Sequence, residues 1–257
     1  MWRISLRSRT DFIIHANNGG FSFRGRSITN LQDIHDACDY IYSVKRDLYK
    51  TGHNAQKYSL NDSTYAEKNL EVILDRLSNK IYNYFNKPGN VINKQENFDR
   101  FHDRICVWFY KELNAKVRSL AGLDDATYGN AQKMINTLFK YLACFEDYRN
   151  FADLFSYCHI TIDNSSLRCF EVIGIPGCGG GRNKVFKDKE WHELDREDYI
   201  ELLKTYRANI EGKINPNIPN IAVDFAWWES TRKTAKGLFA LLPKSDMDVQ
   251  TINKFYR

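Results

Sequence analysis

The chain has 257 residues, of which 43% are hydrophobic, 14% aromatic and 27% charged, and its net charge is +5. This composition excludes an intrinsically disordered chain, and the length fits one large domain or two lobes that share a core. No apolar run approaches the roughly 20 residues of a membrane span, and Met1–Arg7 carries two arginines where a signal peptide needs an apolar stretch. We therefore expect a cytoplasmic protein without a membrane partner, whose positive charge permits a polyanionic one.

Residues 1–28 have the pattern of a small antiparallel β element. Apolar residues alternate with polar ones from Trp2 to Leu6, which is the period of a half-buried strand. The sequence Asn17-Asn18-Gly19-Gly20 is a strong turn signal. We expect this β hairpin element to pack on a helical body that covers residues 29–257.

From Thr29 onwards the apolar residues recur with the period of an α-helix. Thr29-Asn30-Leu31-Gln32 has the form of a capping box and opens the first predicted helix, which Gly52 ends. The second predicted helix begins near Ser63. It stops at Lys87-Pro88-Gly89, because proline lacks the backbone donor that a continuing helix needs.

The third predicted helix runs from about Asn97 to Leu120, and we expect this most aromatic helix to be central. A later helix is predicted from near Asp195, and another over Ala222 to Lys233. Several helices against one hairpin predict a mainly α, multi-helix and bilobal protein.

The segment from Gly174 to Gly181 is rich in glycine and has two interpretations. It is either a flexible connection or a loop whose bare backbone approaches a phosphate, with Arg182, Lys184 and Lys187 beside it. The GxxxxGK[ST] pattern of a nucleotide-binding loop is absent from this segment.

The cysteines form no CxxC pair, and those at apolar helical positions, such as Cys106, act as small hydrophobes. Cys158, His159, Cys169 and Cys178 could in principle ligate zinc. Their adjacent ligands and irregular gaps fit the known zinc spacings poorly, so we predict no metal site and no cofactor.

The stretch from Leu120 to Phe170 carries the residues most relevant to function. Tyr128-Gly129-Asn130-Ala131 contains a turn-forming glycine, and Gln132 and Lys133 lead into an apolar run on one helical face. The pattern predicts a helix-hairpin-helix near residues 113–145, with Tyr128 to Ala131 as the turn. Backbone donors at the start of its second helix would hold a phosphate without reading sequence.

A carboxylate follows this predicted hairpin about thirty residues after Lys133, where Asp163 ends the short β-branched run Ile160-Thr161-Ile162. A lysine and an aspartate that each follow a structural break are the residues on which we base a prediction of catalysis.

The two segments resemble the helix-hairpin-helix superfamily of DNA glycosylases, of the endonuclease III type. Its signature runs Pro-Gly-Val-Gly-Arg-Lys-Thr-Ala-Asn, then a helix, then Val-Asp-Thr-His, two apolar residues and Arg. Gly129, Lys133 and Asn136 stand where the first part has Gly, Lys and Asn. Asp163 and Arg168 stand where the second part has Asp and Arg.

The chain also departs from the signature. Tyr128 replaces the proline, Ala131 replaces the second hairpin glycine, and Asn164-Ser165 replaces Thr-His. The resemblance covers about fifty of the 257 residues. No cysteine cluster follows, so the iron-sulfur site of some members is not expected.

The resemblance implies binding of double-stranded DNA and excision of a modified or damaged base. Lys133 would attack the anomeric carbon of the sugar and form a Schiff base, and Asp163 would stabilise the positive charge on the sugar or activate water. Arg168 and the residues from Tyr128 to Gln132 would bind the nucleic acid. The extruded base would stack on an aromatic side chain, and the sequence does not choose among Trp108, Tyr128, Trp191, Trp227 and Trp228.

Other interpretations stay open. Lys133 alone is typical of a solvated surface charge, and Asp163 alone is typical of a helix N-cap. The chain could be a non-catalytic module that binds nucleic acid or protein, because a helix-hairpin-helix can bind DNA without chemistry. It could also be a helical ribonuclease, although its only matching arginine–histidine spacing, Arg9 to His15, falls in a predicted strand.

Overall fold

The structure is a computed structural model, and the part of the chain it describes is mainly α, as predicted. The predicted β hairpin element at 1–28 and the first predicted helix lie outside the described residues. The described residues form two compact units separated at Leu154, here called the first unit (63–143) and the second unit (155–225). The described ranges are 63–86, 94–119, 124–143, 155–172, 174–178, 186–210 and 220–225.

The first unit contains three α-helices and a π-helical turn. Helix α1 is Ser63–Phe85, helix α2 is Lys94–Leu113, the π-helical turn is Asn114–Arg118, and helix α3 is Tyr128–Leu142. The predicted bounds of the second helix are confirmed by α1. The predicted third helix appears as α2 and the π-helical turn in series.

Helix α2 is central in the first unit, because it packs against both α1 and α3, as predicted. Its aromatic face accounts for this position. The ring of Phe98 lies 5.4 Å from that of Phe139 of α3, and Phe101 stacks on Tyr84 of α1 with ring centroids 3.9 Å apart. The predicted apolar stripe of α1 is buried: Leu70, Ile73, Leu74, Leu77, Ile81 and Phe85.

The start of α3 differs from the prediction. Tyr128, Gly129, Asn130 and Ala131 form the first turn of the helix rather than a hairpin turn that precedes it. The physical reason is a capping box. The Thr127 hydroxyl accepts from the Asn130 backbone N–H at 3.2 Å, and the Asn130 side chain accepts from the Thr127 backbone N–H at 3.0 Å. The predicted hairpin position is therefore wrong.

The connection that precedes α3 is fixed by side chains of the π-helical turn. Asn114 bonds to both backbone groups of Ala126, accepting from its N–H at 2.7 Å and donating to its carbonyl at 3.0 Å. The Arg118 guanidinium donates to the Asp124 carbonyl. Because side chains replace missing backbone partners here, the described residues 124–127 lead into α3 without a glycine turn at 129.

The second unit contains helix α4, Asn164–Val172, and helix α5, Arg196–Ile210, with a short 3-10 helix at Trp191–Glu193. Residues 220–225 are also helical. Helix α5 confirms the helix predicted from near Asp195, and its predicted inner face of Tyr199, Leu202, Leu203 and Tyr206 is buried.

Gly174 caps the end of α4 and begins residues 174–178, the described part of the glycine-rich segment. The N–H of Ile175 bonds to the Phe170 carbonyl at 2.8 Å, and the N–H of Gly174 bonds to the Glu171 carbonyl at 3.1 Å. With φ of 72° at Gly174, this is a Schellman cap. Residues 174–178 therefore form an ordered cap and turn.

None of the described helices combines the length and the apolar character needed to cross a bilayer.

Candidate functional site

Lys133 lies on an open strip of a helix that is otherwise buried. Of the 15 residues of α3, all but Asn130, Lys133 and Thr137 are buried. These three residues are half-buried, and their spacing of three and four residues places them along one line of the helix surface. The strip is polar throughout and carries one cation, the half-buried side chain of Lys133.

The residues predicted to bind phosphate next to Lys133 lie instead in the first turns of α3. Tyr128, Gly129, Ala131 and Gln132 are buried. The Tyr128 hydroxyl donates to Asp103 at 3.3 Å, and the Gln132 amide donates to the Gly129 carbonyl at 3.0 Å. Contact of these residues with nucleic acid stays a prediction.

A buried polar chain continues from Gln132 into the contact between α2 and α3. The Asn136 amide donates to Gln132 Oε1 at 3.2 Å, and Asn136 Oδ1 lies 2.8 Å from His102 Nε2. Cys106 Sγ lies 3.7 Å from the same ring. Burial raises the pKa of the Cys106 thiol well above its ordinary value. The spacing of polar residues within each helix indicates such a network. The pairing of His102 with Asn136, however, becomes visible only in the folded structure.

Asp163 is the N-cap of α4. Its Oδ1 accepts from the Ser166 backbone N–H at 3.1 Å, and its own N–H donates to the Ser166 hydroxyl at 2.8 Å. The Asp163 carbonyl accepts from the Leu167 N–H at 3.0 Å. The structural interpretation of Asp163 as a cap is therefore confirmed. Its predicted catalytic role stays a prediction.

The predicted catalytic pair is divided between the two units, with Lys133 in the first and Asp163 in the second. Their joint placement at one cleft stays a prediction. The side chain of Arg168 lies outside the described part of the chain, as do Arg182 and Lys184.

The segment before Asp163 is buried and held by polar residues of the second unit. The Thr161 N–H donates to Asp224 Oδ2 at 2.9 Å, and His159 Nδ1 lies 2.9 Å from the Tyr199 hydroxyl. Burial and the nearby Asp224 carboxylate raise the pKa of Tyr206 well above its ordinary value. Asp224 was not among the predicted functional residues, because its contact with Thr161 spans 63 residues of sequence.

Metal ligands do not converge in the described ranges, where no group of three or more histidine, cysteine, aspartate or glutamate side chains could hold an ion. His159 and Cys158, which the sequence allowed as zinc ligands, are both buried. Burial raises the pKa of the Cys158 thiol well above its ordinary value.

Comparison with known proteins gave no match to a family model, to a curated protein or to a solved structure.

Proposed function

We propose that the chain binds double-stranded DNA and excises a modified base, with Lys133 as nucleophile and Asp163 as the carboxylate that assists it. The observation that carries the proposal is the placement of Lys133, a half-buried residue on the open strip of a helix whose other faces are buried. A nucleophilic amine has to be positioned and partly desolvated, and a helix packed on most of its faces provides a rigid support.

In this reaction the neutral amine of Lys133 forms a bond to the anomeric carbon of the sugar. The glycosidic bond breaks, and the base leaves with the bonding electrons and takes up a proton. The bond from the anomeric carbon to the ring oxygen then breaks, and the oxygen takes a proton from the new ammonium group. The product is an iminium ion, the protonated Schiff base, which borohydride reduces to a stable amine.

Asp163 would stabilise the positive charge that develops on the sugar during departure of the base. A carboxylate fits this role only if its position is fixed. The bonds of Asp163 with the Ser166 N–H and hydroxyl provide that rigidity, because they hold both the side chain and the backbone of the cap.

The test of the nucleophile is borohydride trapping on DNA duplexes that carry damaged bases. The wild-type protein is expected to form a covalent adduct, and Lys133→Ala is expected to abolish it. Lys111→Ala removes an exposed lysine near the end of α2 and should leave the adduct unchanged. Persistence of the adduct in the Lys133→Ala protein would falsify the assignment.

The test of the carboxylate separates its chemistry from its capping role. Asparagine caps a helix about as well as aspartate, so Asp163→Asn should preserve the folded stability while it lowers the rate of base release. Asp163→Ala should lower both. If Asp163→Asn releases base at the wild-type rate, the carboxylate has no part in the reaction and its role is the cap alone.

DNA that is shifted in a gel by the wild-type protein, without adduct or released base, would support the non-catalytic binding module in place of base excision. Cleavage of RNA that is indifferent to Lys133→Ala would support the ribonuclease.

A further inference from the structure

Two cations of α1 converge on one tryptophan of α2. The guanidinium of Arg76 lies 5.2 Å from the centroid of the Trp108 ring, and the ammonium of Lys80 lies 4.9 Å from it. Both distances are within the range of a cation–π interaction. Arg76 and Lys80 are exposed, so the cluster forms part of the molecular surface.

Positive charge exceeds negative charge at this cluster. Glu112 Oε2 accepts a hydrogen bond from Arg76 at 2.7 Å and another from Lys116 at 2.8 Å, so one carboxylate pairs with two cations. The hydrogen bond from Lys116, with the charges of both cations, lowers the pKa of the Glu112 carboxyl. Lys80 has no acidic partner within the described helices.

Two features of the arrangement cost stability. Like charges four residues apart on a helix, as at Arg76 and Lys80, repel each other. The Trp108 indole N–H is buried and has no acceptor in the described part of the chain. A phenylalanine would fill this position without that unsatisfied donor, whereas the indole ring attracts cations more strongly than a phenyl ring. The cation–π contacts and the bonds to Glu112 oppose these costs, and the cluster leaves positive charge in excess at the surface.

We propose that the surface formed by Arg76, Lys80, Trp108 and Lys116, here called the Trp108 surface, binds the phosphate backbone of double-stranded DNA. The identity of this partner rests on the proposed function. A guanidinium can bind a phosphate through two parallel hydrogen bonds, and an ammonium binds it as a point charge. The Trp108 surface belongs to the same unit as Lys133, so one unit would carry both the backbone contact and the nucleophile.

The experiment measures the affinity for an undamaged DNA duplex over a range of salt concentrations. Each phosphate contact adds about 0.9 to the magnitude of the slope of log affinity against log salt. Arg76→Gln and Lys80→Gln should each reduce this magnitude by about 0.9 and weaken binding on the order of threefold. Arg76→Lys keeps the charge and should keep the slope.

Arg100→Gln is the matched control. Arg100 is, like Arg76, an exposed arginine with a carboxylate partner, Glu96 at 3.4 Å, but it is not part of the Trp108 surface. Its loss should change neither affinity nor slope beyond the general effect of one charge. Circular dichroism and urea unfolding establish that each variant is folded. Trp108→Phe should remove the part of the intrinsic fluorescence change on DNA binding that comes from Trp108, one of five tryptophans.

Four outcomes are decisive. Slopes that fall for Arg76→Gln and Lys80→Gln but not for Arg100→Gln support the Trp108 surface, even if no borohydride adduct forms and base excision is rejected. Unchanged slopes in folded variants overturn it, even if Lys133 still forms the adduct. Wild-type protein that binds no DNA overturns it as well. Binding of poly-glutamate that depends on Arg76 and Lys80, without DNA binding, overturns it in favour of an acidic protein partner.

Discussion

His102 Nε2 and Asn136 Oδ1 lie 2.8 Å apart in the buried contact between α2 and α3. Because the amide oxygen of Asn136 can only accept, the imidazole donates through Nε2. The ring is fully buried, and the Asn136 amide nitrogen is held in turn by Gln132. A buried polar chain of this kind fixes the register of two helices that otherwise meet through apolar side chains.

Removal of the Asn136 amide should destabilise the first unit. In Asn136→Ala the His102 Nε2 and Gln132 Oε1 lose these partners inside the core, which costs about 1–3 kcal/mol in the free energy of unfolding. Urea denaturation followed by circular dichroism measures the change. Thr137→Ala, at the half-buried neighbouring position, should change stability by less than about 0.5 kcal/mol. Equal effects of the two substitutions would show that the polar chain contributes nothing specific.

The sequence predicts the helices of the first unit well where apolar periodicity is uninterrupted. In α1 the repeat from Leu70 to Phe85 defines a buried face, and Pro88 limits the helix, so the helix bounds follow from local chemistry. The start of α3 is misplaced because Gly129 resembles a turn residue. Thr127 and Asn130 form the capping box that decides the boundary, and that pattern outweighs the glycine.

Contacts between distant segments were beyond prediction from one sequence. The bond from Thr161 to Asp224 joins residues of the second unit that no local pattern relates. The convergence of Arg76 and Lys80 on Trp108 likewise depends on the packing of α1 against α2. Periodicity identifies which face of a helix is buried, but it does not identify the partner of that face. The predicted pairing of Lys133 with Asp163 also depends on how distant segments pack, which one sequence does not predict.

Gly177 and Gly174 provide a matched test of backbone strain against steric overlap. Both have positive φ, 79° and 72°, a region that costs an L-residue about 1–2 kcal/mol. A Cβ at 177 would also lie 3.0 Å from the Phe186 ring, whereas a Cβ at 174 meets nothing within 4 Å. We expect Gly174→Ala to lower the free energy of unfolding by about 1 kcal/mol and Gly177→Ala to lower it further. The reverse order in urea denaturation would contradict the contact with Phe186.

The N-cap of α5 should make stability depend on pH in the acid range. The Asp198 backbone N–H donates to Asp195 Oδ1 at 2.9 Å, and Lys189 donates to Asp195 Oδ2 at 3.0 Å. These bonds lower the pKa of the Asp195 carboxyl, with the backbone bond as the larger cause. A carboxyl with a lowered folded-state pKa adds stability above its ordinary value of about 4, and this contribution disappears as pH falls through the lowered value.

Asp195→Asn isolates this contribution, because asparagine keeps the cap but does not titrate. We expect the variant to be less stable than the wild type by up to about 1 kcal/mol near pH 7, since the carboxylate is exposed. The difference should shrink as the pH falls below the ordinary carboxyl value of about 4. Asp188→Asn, which changes an exposed carboxylate on the turn before α5, is the control. If the stability difference between Asp195→Asn and the wild type stays constant from about pH 7 into the acid range, titration of Asp195 is not its source.

Three cysteines should report the folded state through their reactivity. Cys106 and Cys158 are fully buried, and burial raises the pKa of both thiols well above the ordinary value. Cys178 is half-buried, and burial with the nearby Glu171 raises its pKa to about 12. The thiolate is the reactive form, so at about pH 8 all three should react more slowly with iodoacetamide than a free cysteine does. Cys178 should be the fastest of the three because of its exposure.

Mass spectrometry of the labelled peptides measures the reaction at each cysteine, and labelling in urea provides the unfolded reference. Labelling of Cys106 in the native protein at the rate seen in urea would show that the contact between α2 and α3 opens freely.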